Sequence, residues 1–459
     1  MNITKKTIII IVTTLGAFWA PFITSSINIA LPYIGNELNI SSSLLNWITS
    51  STILTIAVFI LPMGKISDMV GKRNIMFLGT IILTIASFIC AISQTIVLLL
   101  FGRIFQGIGN AMIATSVVSM ISSAFSPGER GKVLGINVAC TYIGLSLGPI
   151  IGGFIISFTS WRGIFIFSLP IGILLIILLS RIKEEIEFSN LKKFDMSGAL
   201  LYGLSIFLLI FGLSNLLIYS YSKFMLILGL ILLLVFIYFE KNTKNPILDI
   251  THFKKNRVLI FSSLASLINY SSTFAISYLM SLYLQLIMNL DPSTAGMILL
   301  IQPAFQAILS PLAGRLSDKV QPQILASCGM GLITIGLILF SLLNNSTSII
   351  MIILIFALVG IGYAFFSSPN TNAIMTSVDK EFYGIASGIL GTARTVGQSF
   401  SMSLSALITS FFLGNQIITT STLPLLLNSI KTTFIVLSFL CLLGIFASLA
   451  RGKNVNDEK

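Results

Sequence analysis

Two arginines lie in the middle of apolar runs of this sequence, where a charge is costly. Arg103 belongs to the stretch LLLFGRIFQGIGNA and Arg394 to the stretch GTARTVGQSF. On a helix, Gln106 and Asn110 share one face with Arg103. Gln398 follows Arg394 one turn later. An arginine inside a hydrophobic segment almost always faces a partner or a cavity. These residues predict a polar ligand site, with a purely structural arginine bonded to backbone carbonyls as the alternative for Arg103.

Other polar side chains inside apolar runs are candidates for the same substrate-binding site. They are Asn28, Asn137, Thr141, Gln302 and Gln306. Aromatic and sulfur-containing side chains could add an adaptable apolar lining. These are Tyr142, Tyr270, Phe274, Tyr278 and Met280, each of which is explained as readily by ordinary packing.

A short polar phrase occurs twice, each time at the end of an apolar run. Residues 64–73 read GKISDMVGKR and residues 314–319 read GRLSDK. Glycines permit close helix approach, and the aspartates can accept hydrogen bonds from helix-start amides or from an arginine. We interpret the phrase as a functional element rather than an ordinary basic loop, and the family that it resembles implies a gating role. The second copy lacks the basic end. The gating candidates are Gly64, Asp68, Gly71, Lys72, Arg73, Gly314 and Asp318.

The distribution of titratable groups bears on the ligand. All 15 acidic residues are predicted to lie outside the interior of the apolar runs, and the single histidine, His252, lies in a polar link. Proton coupling normally uses a membrane-embedded group that titrates, and arginine cannot lose its proton. The predicted site is therefore positive, which favours an anionic, zwitterionic or neutral ligand over a lipophilic cation. The remaining candidates for coupling are Glu37, Asp68, Asp291 and Asp318.

The elements that carry these residues are predicted to be transmembrane helices. The chain has 459 residues, of which 55% are hydrophobic and only 9% charged, whereas soluble proteins carry about 25% charged residues. The predicted fold class is an all-α integral membrane protein. Fourteen runs approach the length of about 20 residues that a spanning helix needs. They fall near residues 8–32, 43–63, 74–93, 95–118, 132–157, 161–180, 195–218, 222–240, 257–287, 293–313, 321–343, 347–372, 383–413 and 431–450.

The placement of basic residues predicts orientation and domain organisation. Most of the 27 Lys and Arg residues fall on one side when the runs alternate across the membrane, so we expect that side, with both termini, to be cytoplasmic. The net charge of +12 then reflects topology and anionic lipid rather than nucleic acid. The longest links flank the seventh and eighth runs. We predict a six-helix bundle in residues 1–180, a two-helix insert in 181–256 and a second six-helix bundle in 257–459.

The fifth run contains a glycine-rich segment, GLSLGPIIGG. Gly144, Gly148 and Gly152 recur every four residues and predict a smooth face for close packing. Pro149 can kink the helix while neighbouring groups satisfy the freed carbonyl. A generic packing seam would explain the glycines but not the Gly-Pro pair, so these four residues are further gating candidates.

The segment GLSLGPIIGG, the phrase GKISDMVGKR and the Arg103 stretch are similar to signatures of one family. The sequence resembles the major facilitator superfamily, specifically its fourteen-helix, EmrB/QacA-like drug-antiporter branch. The resemblance covers nearly the whole chain. It implies a cytoplasmic latch at GKISDMVGKR, a substrate site between two bundles, and export. The chain departs from that branch at Ile23, which occupies the place of an aspartate in the first helix, a few residues before Asn28.

The expected function is secondary active export of small amphipathic compounds or drugs by alternating access, in the cell membrane. Duplicated helical units are typical of transporters. Protons are one candidate for the coupling ion, and we expect a monomer. A carrier or facilitator for an anionic or neutral metabolite is the alternative, and a non-transporting receptor or scaffold is a remote one. The sequence has no GxxxxGK[ST] motif and lacks the clusters that an enzyme would need, so no catalytic activity and no cofactor are expected.

Overall fold

The computed structural model describes residues 3–125, 127–182, 194–243, 245–248, 256–317, 319–378 and 383–452. All regular structure in these residues is helical, and 14 helices are long and apolar enough to cross a membrane. The helices are α1 Ile3–Leu38, α2 Ser42–Val70, α3 Lys72–Ala91, α4 Ile96–Ala124, α5 Pro127–Phe158, α6 Arg162–Ser180, α7 Met196–Ser214, α8 Ser222–Asn242, α9 Arg257–Ile287, α10 Pro292–Leu316, α11 Pro322–Ser341, α12 Ile349–Thr376, α13 Tyr383–Leu413 and α14 Leu423–Ala450. The all-α membrane fold class is thereby confirmed.

Several helices are longer than the sequence predicted, because their last turns are polar. α2 continues to Val70 rather than ending near residue 63, so most of GKISDMVGKR is helical. α1 and α8 also extend further and include Glu37 and Glu240 in their last turns. Glu37, Asp68 and Glu240 thus lie within spanning helices but outside their interiors, as the sequence predicted for acidic residues. All three lie near helix ends, where a charge can reach the membrane–water interface.

Helix packing repeats between the two ends of the chain. We call α1–α6 the first bundle, α7–α8 the insert and α9–α14 the second bundle. In the first bundle α1 packs along α5, α2 on α4, and α3 on both α4 and α6. The second bundle repeats these pairs as α9 with α13, α10 with α12, and α11 with both α12 and α14. The bundles meet through α5 with α10 and α2 with α13, and the insert packs against α2 and α13.

The outer surface of the helices is apolar. Large hydrophobic side chains such as Phe158 and Ile308 are 82% and 73% exposed, as expected for a surface that contacts lipid rather than water. The ends of the helices define two faces. We call the face that carries the beginning of α1 and the end of α14 the terminal face, and the opposite one the far face.

Candidate functional site

The bundles are joined in the middle of the membrane and toward the far face. At the far face the Ser42 N–H donates to the Gln416 carbonyl at 3.1 Å. Deeper in, the Ser281 hydroxyl donates to the Asn28 carbonyl at 2.5 Å. Among the described residues, no hydrogen bond links the two bundles near the terminal face. The structure is thus closed toward the far face.

The glycine segment of α5 makes this closure possible. A Cβ at Gly144 would lie 2.4 Å from the Phe18 carbonyl oxygen, and one at Gly152 would lie 3.0 Å from the Ser26 side chain. Gly148 has no more room, because a Cβ there would overlap the side chain of Ser25. These three glycines therefore form the smooth face predicted from the sequence, and the helix that covers it is α1.

The opposite side of α5 contacts the second bundle. A Cβ at Gly296 of α10 would lie 2.3 Å from the Pro149 carbonyl oxygen, and one at Gly153 would lie 2.5 Å from the Pro292 carbonyl oxygen. Helix α5 is therefore packed between its own bundle and the other one with no space for side chains. Movement of one bundle against the other must break or slide this contact.

Arg394 of α13 lies against a group of tyrosines between the bundles. Its guanidinium carbon is 5.0 Å from the centre of the Tyr270 ring of α9. The Tyr270 ring meets Tyr363 of α12 edge to face at 6.1 Å between ring centres. Tyr142 of α5 is close enough to interact electrostatically with Arg394, and its hydroxyl lies 3.2 Å from the Ser367 hydroxyl of α12. We call Arg394, Tyr142, Tyr270 and Tyr363 the tyrosine cluster. Both bundles contribute to it.

Arg394 has hydrogen-bonding capacity to spare. Its Nε is buried and has no hydrogen-bond partner, although the side chain as a whole is half-buried. Among the described residues no acidic side chain pairs with it. A cation in a low-dielectric site gains most from an acceptor or an anion, and tyrosine rings stack on aromatic compounds. The cluster is suited to an aromatic ligand that carries an acceptor or a negative charge.

Arg103 of α4 lies in a different environment. It is fully buried, donates from Nε to the Ile48 carbonyl of α2 at 2.9 Å, and donates from Nη1 to Gln106 Oε1 at 2.7 Å. Gln106 in turn donates to the Ser87 hydroxyl of α3 at 2.9 Å. Only Nη2 of the guanidinium lacks a partner. Arg103 and Gln106 thus tie α2, α3 and α4 together, which is close to the structural alternative considered for this arginine.

The other predicted ligand residues are spread over the interior. Asn28 accepts from the Thr49 hydroxyl at 3.3 Å. Asn110 Oδ1 and Asn137 Nδ2 are buried without hydrogen-bond partners. The Thr141 hydroxyl donates to the Asn137 carbonyl at 3.1 Å. Gln306 is buried, and Gln302 and Gln398 are half-buried. Among the described residues no hydrogen bond joins these side chains to the tyrosine cluster, so their role in binding stays a prediction.

At the terminal face, the first copy of the repeated phrase bends the chain between α2 and α3. Gly71 alone interrupts the helix, with φ of 107°, a backbone conformation that favours glycine. Arg73 donates from Nε and Nη2 to the Leu179 carbonyl of α6 at 3.0 and 2.9 Å. Asp68 is exposed at the end of α2, and Lys72 begins α3.

The glycines of the two copies differ in how closely they are packed. A Cβ at Gly64 would lie 3.8 Å from Thr115, an ordinary contact, so the close approach predicted there is absent in this conformation. A Cβ at Gly314 would lie 2.8 Å from the Ser368 hydroxyl, which is a close approach. Asp318 lies outside the described residues.

In the second bundle, the guanidinium that corresponds to that of Arg73 comes from a residue outside the repeated phrase. Arg451, directly after α14, is 2% exposed and donates from Nη2 to the Pro322 carbonyl at the start of α11 at 3.1 Å. It also donates to Asn370 Oδ1 at 3.0 Å. In the first bundle, Arg73 runs from the start of α3 to the end of α6. In the second bundle, α11 and α14 correspond to α3 and α6. There the arginine follows the end of α14, and its acceptor lies at the start of α11.

Sequence reasoning missed Tyr363, Ser367 and Arg451. Tyr363 and Ser367 lie one turn apart on α12, which places them on one face, but only the packing of α12 on α9 shows what that face contacts. For Arg451 the sequence predicts only a position among the basic residues on one side of the membrane. Its position directly after the last apolar run was the available signal.

Comparison with known proteins supplies the family. A family model described as Major Facilitator Superfamily matches residues 13–401 and, in a second match, 262–458. The riboflavin transporter RibZ of Clostridioides difficile is 29% identical over 89% of this chain and 88% of its own length. The multidrug resistance protein Stp of Mycobacterium tuberculosis is 27% identical over 86% of this chain and 74% of its own length. The multidrug transporter protein MdtP of Bacillus subtilis is 26% identical over 90% and 76%.

Solved structures share the fold. A POT family transporter in complex with 5-aminolevulinic acid aligns with a TM-score of 0.72 at 17% identity, covering 95% of this chain and 94% of that chain. A bacterial homolog of the human lysosomal transporter Spinster, in an inward-facing and occupied conformation, aligns with a TM-score of 0.67 at 16% identity, covering 100% and 99%. The relatives are transporters rather than enzymes. The chain belongs to the Major Facilitator Superfamily and is a multi-pass membrane transporter of small molecules.

Proposed function

We propose that the protein belongs to the fourteen-helix, EmrB/QacA-like drug-antiporter branch and exports small amphipathic compounds from the cell. Relatives named as multidrug resistance or multidrug transporter proteins support export. So does the close packing of GLSLGPIIGG between α1 and α10, because in this branch that motif accompanies export. The protein works as a monomer in the cell membrane, with protons as the coupling ion.

The tyrosine cluster is the observation that carries the substrate class. Arg394 has an unpartnered buried Nε and no acidic partner among the described residues, while tyrosine rings lie beside it. The substrate is therefore an aromatic compound that is anionic, zwitterionic or neutral with a strong acceptor. A lipophilic cation would be repelled by Arg394 and would find no carboxylate there.

The transport cycle follows from the packing of the bundles. Basic residues on the terminal face support cytoplasmic termini, so the closed far face is the outer one and the structure opens inward. The bundles 1–180 and 257–459 rock about the cluster, with α5 sliding on α10, while the insert 181–256 stays against α2 and α13. The gating residues are Gly64, Asp68, Gly71, Lys72, Arg73, Gly144, Gly148, Pro149, Gly152, Gly314 and Asp318.

A facilitator for a neutral or anionic aromatic metabolite is the second candidate. The relative named as a riboflavin transporter supports it, and so does the aromatic character of the cluster. Direction separates the two functions, because an exporter moves its substrate from the terminal face to the far face against a gradient.

The test is flux in proteoliposomes and in inverted membrane vesicles. A panel of aromatic anions, neutral aromatic compounds and ethidium-like cations is measured with and without a pH gradient. Accumulation of anionic or neutral compounds in inverted vesicles, driven by the gradient, is the expected result. Preferential transport of cations would refute the substrate class, and downhill flux alone, unaffected by the gradient, would favour the facilitator.

A further inference from the structure

Two carboxyl groups of the insert face each other at the terminal face. Asp195 caps α7, accepting the Gly198 N–H at 2.9 Å through Oδ1. Glu240 lies in the last turn of α8 and accepts the Leu248 N–H at 3.0 Å through Oε2. The remaining oxygens, Asp195 Oδ2 and Glu240 Oε1, lie 2.5 and 2.4 Å from the point where a Cβ of Gly198 would be. Both oxygens therefore border the same small space beside Gly198.

Neither of these two oxygens has a donor. Both are buried and have no hydrogen-bond partner among the described residues, and Glu240 as a whole is 2% exposed. Carboxylate oxygens only accept hydrogen bonds, whereas a protonated carboxyl also donates one. Two carboxylates that share one site repel each other, because their charges are alike. A proton on Glu240 Oε1, donated to Asp195 Oδ2, would satisfy both atoms.

The pair is connected to the repeated phrase of the first bundle. Leu248, which Glu240 holds, belongs to the short described segment 245–248. In the same segment the Pro246 carbonyl accepts from Lys65 Nζ of α2 at 3.1 Å. Lys65 is the second residue of GKISDMVGKR. Two hydrogen bonds and the chain between Pro246 and Leu248 thus connect Glu240 to Lys65 of α2.

The described residues around the pair contain few other charges. On the elements packed here, α2 carries Lys65 and Asp68 at this face, and α8 carries Lys241 next to Glu240. The Tyr202 hydroxyl of α7 donates to the Ala57 carbonyl of α2 at 2.7 Å, which fixes the insert against α2. The insert is therefore attached to α2 by the Tyr202 hydrogen bond in the membrane and by Lys65 at its edge.

We propose that Asp195 and Glu240 form a proton-binding site that controls the attachment of segment 245–248 to Lys65 and so links protonation of the insert to the gate at the end of α2. In the protonated state one O–H donates to the opposite carboxylate, and Glu240 holds Leu248. When the proton leaves to the solvent at the terminal face, two negative charges remain. Their repulsion moves Glu240 away from Asp195 and releases the Leu248 N–H.

Infrared spectroscopy of the full-length protein in lipid tests the site without any substrate. The C=O stretch of a protonated carboxylic acid is compared at neutral pH between wild type, Glu240→Gln and Asp195→Asn. Each substitution keeps the shape of the side chain, and asparagine still caps a helix. Loss of one protonated carboxyl per chain in both variants is expected. The control is Glu129→Gln, because Glu129 is paired with Lys6 at the same face and should contribute no such signal.

The same variants test the link to the gate. Flux in proteoliposomes should depend on pH in the wild type, and this dependence should be flattened in Glu240→Gln. Lys65→Met should retain the protonated carboxyl but also flatten the pH dependence. An unchanged carboxyl signal in both carboxyl variants would overturn the site. A retained signal with an unaltered pH profile in Lys65→Met would overturn the coupling, while leaving the substrate assignment untouched.

Discussion

Arg103 and Arg394 have the same chemistry in the sequence but different positions in the fold. Arg103 is fully buried inside the first bundle, donates from Nε to the Ile48 carbonyl and from Nη1 to Gln106, and leaves only Nη2 without a partner. Arg394 is half-buried, rests on the Tyr270 ring and keeps a buried Nε without a partner. An arginine whose donors bind the protein holds helices together. An arginine with a free donor at the junction of two bundles is available to a ligand.

The largest effect on transport is expected at Arg394. Arg394→Ala removes a charge-assisted bond to the substrate, worth about 1.5–3 kcal/mol, so flux should fall at least about tenfold. Thermal stability of the purified protein should change little, since among the described residues no acceptor loses its donor. Arg394→Lys is the matched control and should retain part of the flux. Full flux in Arg394→Ala would contradict the assignment of Arg394 to substrate binding and of Arg103 to helix packing.

Arg103→Ala should act on folding rather than on binding. It leaves Gln106 without its donor and opens a cavity, which should lower the free energy of unfolding by about 1–3 kcal/mol. Membrane insertion should not suffer, because removing an intramembrane charge eases it. Thermal denaturation in detergent measures the loss, and flux is normalised to folded protein. If normalised flux falls as far as in Arg394→Ala, Arg103 also contacts substrate.

Tyr270 tests how much the aromatic ring beside Arg394 contributes to substrate binding. Tyr270→Leu removes the aromatic face under Arg394, an interaction worth about 0.5–2 kcal/mol, so substrate affinity should fall severalfold. Tyr270→Phe keeps the ring and should lose less. Concentration dependence of flux separates the two variants. Equal losses would show that the hydroxyl matters and the ring does not.

Ser87 allows the smallest change to the hydrogen bonds that connect Arg103, Gln106 and α3. Ser87→Ala removes the acceptor of the Gln106 amide and should cost about 1 kcal/mol of stability. Flux per folded protein should stay at the wild-type level. A loss of flux with unchanged melting temperature would contradict a purely structural role for this network.

The ends of the two bundles offer a second comparison. Arg73 joins the start of α3 to the end of α6, whereas Arg451 joins the end of α14 to the start of α11. The sequence shows that the second copy of the phrase lacks its basic end and places Arg451 directly after the last apolar run, but it does not show that Arg451 contacts the start of α11. The two phrases therefore differ more in sequence than the two bundles differ in structure, because each bundle has an arginine that joins the corresponding pair of helices.

The fold was predictable where one physical rule decides it. Hydrophobic length alone identifies the helices, and the spacing of Gly144, Gly148 and Gly152 predicts their packing face. Helix ends were less predictable, because polar residues such as Asp68 and Glu240 continue a helix into the membrane interface.

The site was predictable only in part. Arg394 is recognisable in the sequence as a charge in an apolar run. The three tyrosines of the cluster come from α5, α9 and α12, and no sequence pattern connects them. Asp195 and Glu240 lie on different helices in the same way, and their pairing depends on the contact between α7 and α8.

Charge selectivity tests the proposed site most directly. Flux of a matched pair of aromatic compounds, one anionic and one cationic, is measured side by side in wild type and in Arg394→Gln. The wild type should transport the anionic compound in preference to the cationic one, and Arg394→Gln should lose that preference with its stability intact. A wild type that prefers the cation, or an Arg394→Gln variant with unchanged selectivity, would contradict a substrate site at Arg394.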